Sequence, residues 1–175
     1  MSDPTTPDVP TLELEIFADY FQFTLEDEQT AGQRAGTVIE LPDDWWKQLS
    51  TQMLAVDAGV IWVSTVRNMS VPVSVTLLGN PPVDELAAWD HVAEASIAIL
   101  SGKLVIAGVT GYLPDEPRLP VEPGTYRVRV YFGGLERISE DGLDGEDHYA
   151  VVLWPAEYGE PATLKKWPSV LDRFR

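Results

Sequence analysis

The run Gly124-Thr-Tyr-Arg-Val-Arg-Val-Tyr-Phe-Gly-Gly-Leu-Glu-Arg-Ile-Ser-Glu-Asp-Gly-Leu-Asp-Gly-Glu-Asp-His-Tyr-Ala-Val-Val-Leu-Trp154 decides how the chain is read. Tyr126, Val128, Val130 and Phe132 alternate with Arg127, Arg129 and Tyr131, and Tyr149, Val151 and Leu153 resume the alternation after a loop. A period of two places one set of side chains on an apolar face and the other set opposite it, which predicts two half-buried strands. Between them Glu136, Glu140, Asp141, Asp144, Glu146 and Asp147 crowd together with only Arg137 to answer them. Like charges packed this closely contribute nothing to the fold, and a cation or a basic partner would relieve the repulsion. These six carboxylates are the candidate partner-binding residues, and Arg127 and Arg129 are expected to pair with the same loop.

Outward from this core motif the pattern stays β-rich. Leu12, Leu14 and Ile16 alternate with Thr11, Glu13 and Glu15, and Phe21, Phe23 and Leu25 alternate with Gln22, Thr24 and Glu26, giving two short strands joined at Ala18-Asp19. The stretch from Glu26 to Gly36, acidic and then glycine-bearing, reads as a solvated loop. Pro42-Asp43-Asp44 ahead of Trp45 to Ala55 predicts a helix, with acids near the positive end of its dipole. Trp45 and Trp46 are both expected to pack across a wide buried face. Val60 to Val63 and Val71 to Leu77 read as strands, with Pro72 marking an edge or a strand end. For Val83 to Leu100 helical and strand periodicities compete, and Ser101-Gly102 favours a short helix near 83–89 followed by a hairpin into Lys103 to Gly108. Glu122-Pro123-Gly124 is a turn. Residues 155–175 carry no clear pattern beyond a basic cluster of Lys165, Lys166, Arg173 and Arg175.

The expected fold class is therefore mainly β, an antiparallel β-sandwich of roughly eight to ten strands with one or two short helices. Residues 1–10, with Pro4, Pro7 and Pro10 among Asp, Ser and Thr, are expected to form a disordered tail, and residues 11–175 a single β-sandwich domain.

Composition narrows the function classes. The 28 Asp and Glu against 12 Lys and Arg give a net charge of −16, which repels phosphate backbones and argues against direct nucleic-acid binding. With no cysteine there is no disulfide framework and no thiolate site, which fits a cytoplasmic location. The start lacks the basic and apolar regions of a secretory signal, and no apolar run reaches the length of about eighteen residues that would span a membrane.

Motifs for chemistry are sparse. His91 in Trp89-Asp90-His91 and His148 in Glu146-Asp147-His148 each stand beside an acid, an arrangement that can orient and activate an imidazole. Without a nucleophile placed near either ring, a hydrogen-bonding role is the expected one, and no enzymatic activity is assigned. No zinc-protease, nucleophile-elbow or phosphate-loop signature occurs, and no cofactor is implied. Glu140 to Asp147 gathers oxygens and glycines as a calcium loop would, but its spacing does not follow the EF-hand pattern.

The order of pieces resembles the competence protein J family, small bacterial proteins of which the best-known type inhibits a DNA-entry nuclease. The likeness rests on Tyr20-Phe21-Gln22-Phe23-Thr24-Leu25, the Trp-bearing segment before Gly59, Val71 to Leu77, and Leu119 through Pro123-Gly124-Thr125-Tyr126-Arg127-Val128. It covers residues 12–132 as a pattern, and the chain departs from it in its proline-rich start, in the 79–91 segment, and from the acidic loop onward. The resemblance implies an inhibitor or immunity protein that blocks the basic active-site surface of a nuclease or toxin. The alternatives that remain open are a calcium- or ligand-binding β module using the 136–147 loop, and a scaffolding partner.

Overall fold

Strands β9 (Gly124–Gly133) and β10 (His148–Pro155) pair antiparallel, as their alternation predicts, with Phe132 opposite Tyr149, Val130 opposite Val151 and Val128 opposite Leu153. The structure is a computed structural model and describes residues 9–34, 40–83 and 85–170. The inward row of this pair is buried, and Phe132 and Tyr149 meet edge to face with ring centroids 5.7 Å apart. Each large side chain removed from water in this way contributes about 1.5–3 kcal/mol.

Around the pair, β1 (Thr11–Phe17), β5 (Ser70–Leu77), β6 (His91–Ile99) and β11 (Ala162–Lys165) complete a six-stranded sheet in the order β1-β5-β10-β9-β6-β11. A five-stranded sheet packs over it, built from β2 (Gln22–Asp27), β3 (Leu54–Asp57), β4 (Val60–Ser64), β7 (Lys103–Gly108) and β8 (Arg118–Pro120) in the order β3-β4-β2-β7-β8. The main core lies between the sheets, where Phe23, Leu25, Ile61, Leu104 and Ile106 face Val73, Val75, Ile97, Val128 and Val151. The fold is the expected two-sheet, mainly β class, with eleven strands among the described residues and one parallel pair, β5 with β10.

Several local expectations are corrected. Residues 28–34 are not a loop but a helix, α1 (Glu28–Arg34), whose Ala31 is buried and whose Thr30 N–H donates to Asp27 Oδ2 at 3.4 Å. The second helix, α2 (Trp45–Gln52), stops short of Ala55 because Met53 turns left-handed at φ 59° and sends the chain directly into β3. Trp45 packs edge-on against Trp62, but Trp46 is 56% exposed, so the helix buries one indole and not both. Pro72 lies within β5 and not on an outer strand. It sits just before the segment Val73–Leu77 that β10 covers, so its missing N–H breaks no bond to that neighbour.

The pair β6 and β7 is not a hairpin. Their connection at Ser101-Gly102 crosses from the large sheet to the small one, because the Ser101 N–H and hydroxyl both donate to Asp27 Oδ1, at 2.9 and 2.7 Å, and draw the turn toward β2. Residues 156–170 do carry structure: β11 runs beside β6, and Trp167 and Val170 bury in the core. Of the expected tail, residues 1–8 lie outside the described residues, as do Arg173 and Arg175, while the Pro10 carbonyl accepts from the Leu77 N–H at 3.0 Å. No helix among the described residues is long and apolar enough to cross a membrane.

Candidate functional site

The strand registers collect several connections at one end of the sandwich. Phe17 pairs with Ser70, Gln22 with Ser64, Phe23 with Gly108, and Gly133 with His148, so the segments 18–21, 65–69, 109–117 and 134–147 emerge side by side. Hydrogen bonds stitch them together: Ala18 N–H to the Met69 carbonyl at 3.0 Å, Thr65 N–H to the Phe21 carbonyl at 2.8 Å, and the Thr110 hydroxyl to Asp19 Oδ2 at 3.0 Å.

The acidic loop is an ordered extension of the β9–β10 hairpin. Ile138 and Gly145 form a bridge, the Ser139 N–H donates to the Asp144 carbonyl and the Glu146 N–H to the Arg137 carbonyl, both at 2.8 Å. Its base is held by the Leu135 N–H, which donates to Asp90 Oδ2 at 2.9 Å. Gly134 adopts φ 64° against the Glu146 carbonyl, a close approach that leaves no room for a side chain.

The six candidate carboxylates do not act as one group. Asp147 is 1% exposed and turned inward, accepting from Arg67 Nε and from the Tyr149 hydroxyl. It therefore belongs to the loop's foundation and is not offered to a partner. Glu136 is exposed and accepts from Trp167 Nε1 at 3.3 Å, and Glu146 pairs with Arg137 at 3.1 Å in the open. Asp141 accepts from the Ser139 hydroxyl at 2.7 Å and the Leu143 N–H at 3.0 Å, bonds that hold its carboxyl below the ordinary value. Glu140 and Asp144 are exposed and line a shallow recess with Ser139 and Asp141. Among the described residues no three His, Asp or Glu side chains converge closely enough to hold a metal ion.

Arg127 and Arg129 do not reach this loop. On the outward face of the large sheet they pair with the two oxygens of Glu94, at 3.0 and 2.9 Å, and Arg127 also donates to the Gly159 and Glu160 carbonyls at 2.8 Å. They fasten the segment after β10 across the sheet.

The two histidines lie on strands that flank β9, His91 on β6 and His148 on β10, opposite Phe132 and Gly133. His91 opposes Phe132, is fully buried, and accepts the Trp167 N–H on Nδ1 at 3.1 Å. Nε2 must then carry the proton and donate to the Gln52 carbonyl, 2.7 Å away. Burial pushes this imidazole below its ordinary value. His148 packs against Trp89 with centroids 5.2 Å apart and places Nδ1 3.0 Å from the Glu146 carbonyl. Both rings make the hydrogen bonds expected of them.

One feature of the small sheet is not legible in the sequence. A cleft of about 700 Å³ opens on its outer face between α1 and the 109–114 segment, walled by Trp62, Val109, Tyr112 and Leu113. Glu26 sits in it 3.4 Å from Arg34, whose guanidinium lies 4.8 Å from the Trp62 ring centre, and burial raises the Glu26 carboxyl above its ordinary value against the opposing pull of Arg34. Its parts come from four segments, none of which carries a motif.

Comparison of the sequence with protein-family profiles and with curated proteins returns no match. Comparison of the fold does. The architecture is similar to that of ComJ from Bacillus subtilis, described as an inhibitor of the DNA-degrading activity of NucA. The TM-score is 0.60 at 14% identity, over 85% of this chain and 99% of that one. The protein described as crocagin biosynthetic gene J is also similar, with a TM-score of 0.53 at 18% identity, over 86% of this chain and 98% of that one. The resemblance to the competence protein J family therefore holds at the level of fold.

Proposed function

We propose that this chain is a non-enzymatic inhibitor or immunity protein that occupies the basic active-site surface of a nuclease or toxin. The observation that carries the reading is the combination of a ComJ-like fold with a net charge of −16. A nuclease needs a cationic groove to hold phosphates, and a protein that presents carboxylates from a rigid scaffold competes for that groove electrostatically. Glu136, Glu140, Asp141, Asp144 and Glu146 supply such a row on the stitched end of the sandwich. The same charge disfavours direct contact with nucleic acid or an anionic membrane, and the absence of cysteine fits a cytoplasmic setting.

The test is cleavage of duplex DNA by a panel of basic endonucleases, NucA among them, with the purified protein added across a salt series. Stoichiometric suppression of one nuclease, weakening with salt, is the expected result. Full activity of every nuclease at micromolar protein would overturn the reading.

A further inference from the structure

Four aromatic side chains stand in solvent at the same end as the acidic loop. Phe17 is 49%, Tyr20 68%, Phe21 46% and Tyr112 69% exposed. We propose that they form the apolar anchor of the surface that docks the basic partner protein, an inference that rests on the function proposed above.

Backbone geometry is the first support. Tyr20 and Phe21 both lie at φ 58°, in the left-handed region where a Cβ is sterically disfavoured and where Gly or Asn is the residue the fold itself would favour. The conformation is nevertheless held firmly, by the Phe21 N–H to the Ala18 carbonyl at 3.1 Å, the Thr65 N–H to the Phe21 carbonyl at 2.8 Å, and the Tyr20 N–H to Asp19 Oδ1 at 3.0 Å. Two consecutive aromatics are thus displayed from a strained, hydrogen-bonded turn at positions where they add little to the core. Strain of this kind concentrates at binding sites.

Contiguity is the second. The Phe17 carbonyl lies against Gly108, so closely that no side chain fits there, and Asp19 accepts from Thr110. The segment bearing Tyr112 is therefore laid beside the turn bearing Tyr20 and Phe21. From the other side, Thr65 ties the turn to the 65–69 connection, whose Arg67 reaches Asp147 under the acidic loop.

Charge names the occupant. Asp19, Asp115 and Glu116 border the aromatics, and Arg118 beside them is already paired with Glu28 at 2.6 Å. Aromatic faces and carboxylates both favour guanidinium and ammonium groups, so the patch suits an Arg- and Lys-bearing protein surface and repels phosphate. Anchors of this type, set among charged residues that steer approach, are the usual seat of interface affinity.

The experiment takes the nuclease that the wild-type chain suppresses in the cleavage assay and measures its Kd for two variants. The first is Tyr20→Asn with Phe21→Asn, which keeps a residue tolerant of the left-handed backbone. The second is Tyr112→Ser on the separate segment. Each should raise Kd at least about tenfold while leaving the salt dependence and the melting temperature near wild type. Unchanged Kd for both variants, with wild-type inhibition intact, would overturn the anchor and leave the inhibitor reading standing. If the wild-type chain suppresses no nuclease, both readings fall together. Sedimentation run in parallel covers a third outcome: variants that turn a dimer into a monomer while inhibition persists would make the patch a self-association face and overturn the proposal.

Discussion

Arg67 in the β4–β5 connection and Asp147, the residue before β10, form an ion pair buried beneath the acidic loop, with side chains 9% and 0% exposed. Asp147 accepts a second bond from the Tyr149 hydroxyl at 2.8 Å, and that hydroxyl accepts the Val66 N–H at 2.9 Å, so one carboxylate ties the loop to the core and to the neighbouring connection. Removing one partner of such a pair leaves a buried charge uncompensated, which typically costs about 3–5 kcal/mol. Asp147→Asn should therefore lower the unfolding free energy, read from urea unfolding, by an amount in that range. Replacing both partners with apolar residues should recover part of the loss, and a single substitution with no effect on unfolding would remove the pair from this structural role.

The outward carboxylates should behave in the opposite way. Joint neutralisation of Glu136, Glu140, Asp141, Asp144 and Glu146 should leave the urea midpoint close to that of the wild type, because exposed pairs such as Glu146 with Arg137 contribute little. Its expected effect is on association with the suppressed nuclease, slowed by about tenfold or more at low salt and converging on wild type as salt shortens the Debye length to about 3 Å near 1 M. Stopped-flow association rates across a salt series measure this directly.

His91 makes stability depend on pH. Its folded-state value is depressed below the ordinary 6.5 by burial, so the unfolded chain binds the proton more readily. The neutral ring's contribution is fully present above pH 6.5 and is lost as the pH falls below that value toward the depressed one. Melting temperatures between about pH 7.5 and pH 5 should fall for the wild type and fall less steeply for His91→Gln, which is expected to start lower. Parallel curves would show that another group carries the acid limb.

Glu26 has the reverse sign. Burial in the cleft raises its carboxyl above the ordinary 4.5, so the folded state holds the proton more tightly than the unfolded chain. Its protonation favours folding, an advantage fully present below pH 4.5 and lost as the pH rises through the raised value. Relative to Glu26→Gln, the wild type should therefore gain stability as the solution is acidified from neutrality. Urea unfolding of the two proteins at neutral and mildly acidic pH would reveal it as a change in the difference between their midpoints.

Much of the strand order along the chain was legible, because half-buried strands alternate apolar and polar residues at a period of two. Thr11 to Ile16, Val71 to Leu77, Tyr126 to Phe132 and Tyr149 to Leu153 all lie in the strands their alternation predicts. The errors fall where a tertiary contact overrides a local signal. Ser101-Gly102 has the composition of a hairpin turn, yet Asp27, distant in sequence, draws it across to the other sheet. Glu28 to Arg34 looks like a solvated loop, yet it closes into a helix over Ala31 once Asp27 accepts its Thr30 N–H. Trp45 and Trp46 are indistinguishable by type, and only the placement of Trp62 decides which one packs.

At the candidate site the division runs residue by residue. The sequence by itself determined that the chain is mainly β, that it is strongly acidic, and that six carboxylates crowd the β9–β10 connection, because periodicity, composition and spacing are local properties. Which of those carboxylates face a partner was decided only by tertiary structure. Arg67 lies eighty residues from Asp147 in sequence, and together with the Tyr149 hydroxyl it holds that acid inward as a foundation while Glu140 and Asp144 stay exposed. The same holds for the aromatic corner. Nothing local marks Tyr20, Phe21 and Tyr112 as surface residues, since aromatics in strand-like runs ordinarily bury; the left-handed turn and the Asp19 to Thr110 bond set them side by side in solvent. Exposure is settled by what the rest of the chain covers, and that is fixed only when the sheets close.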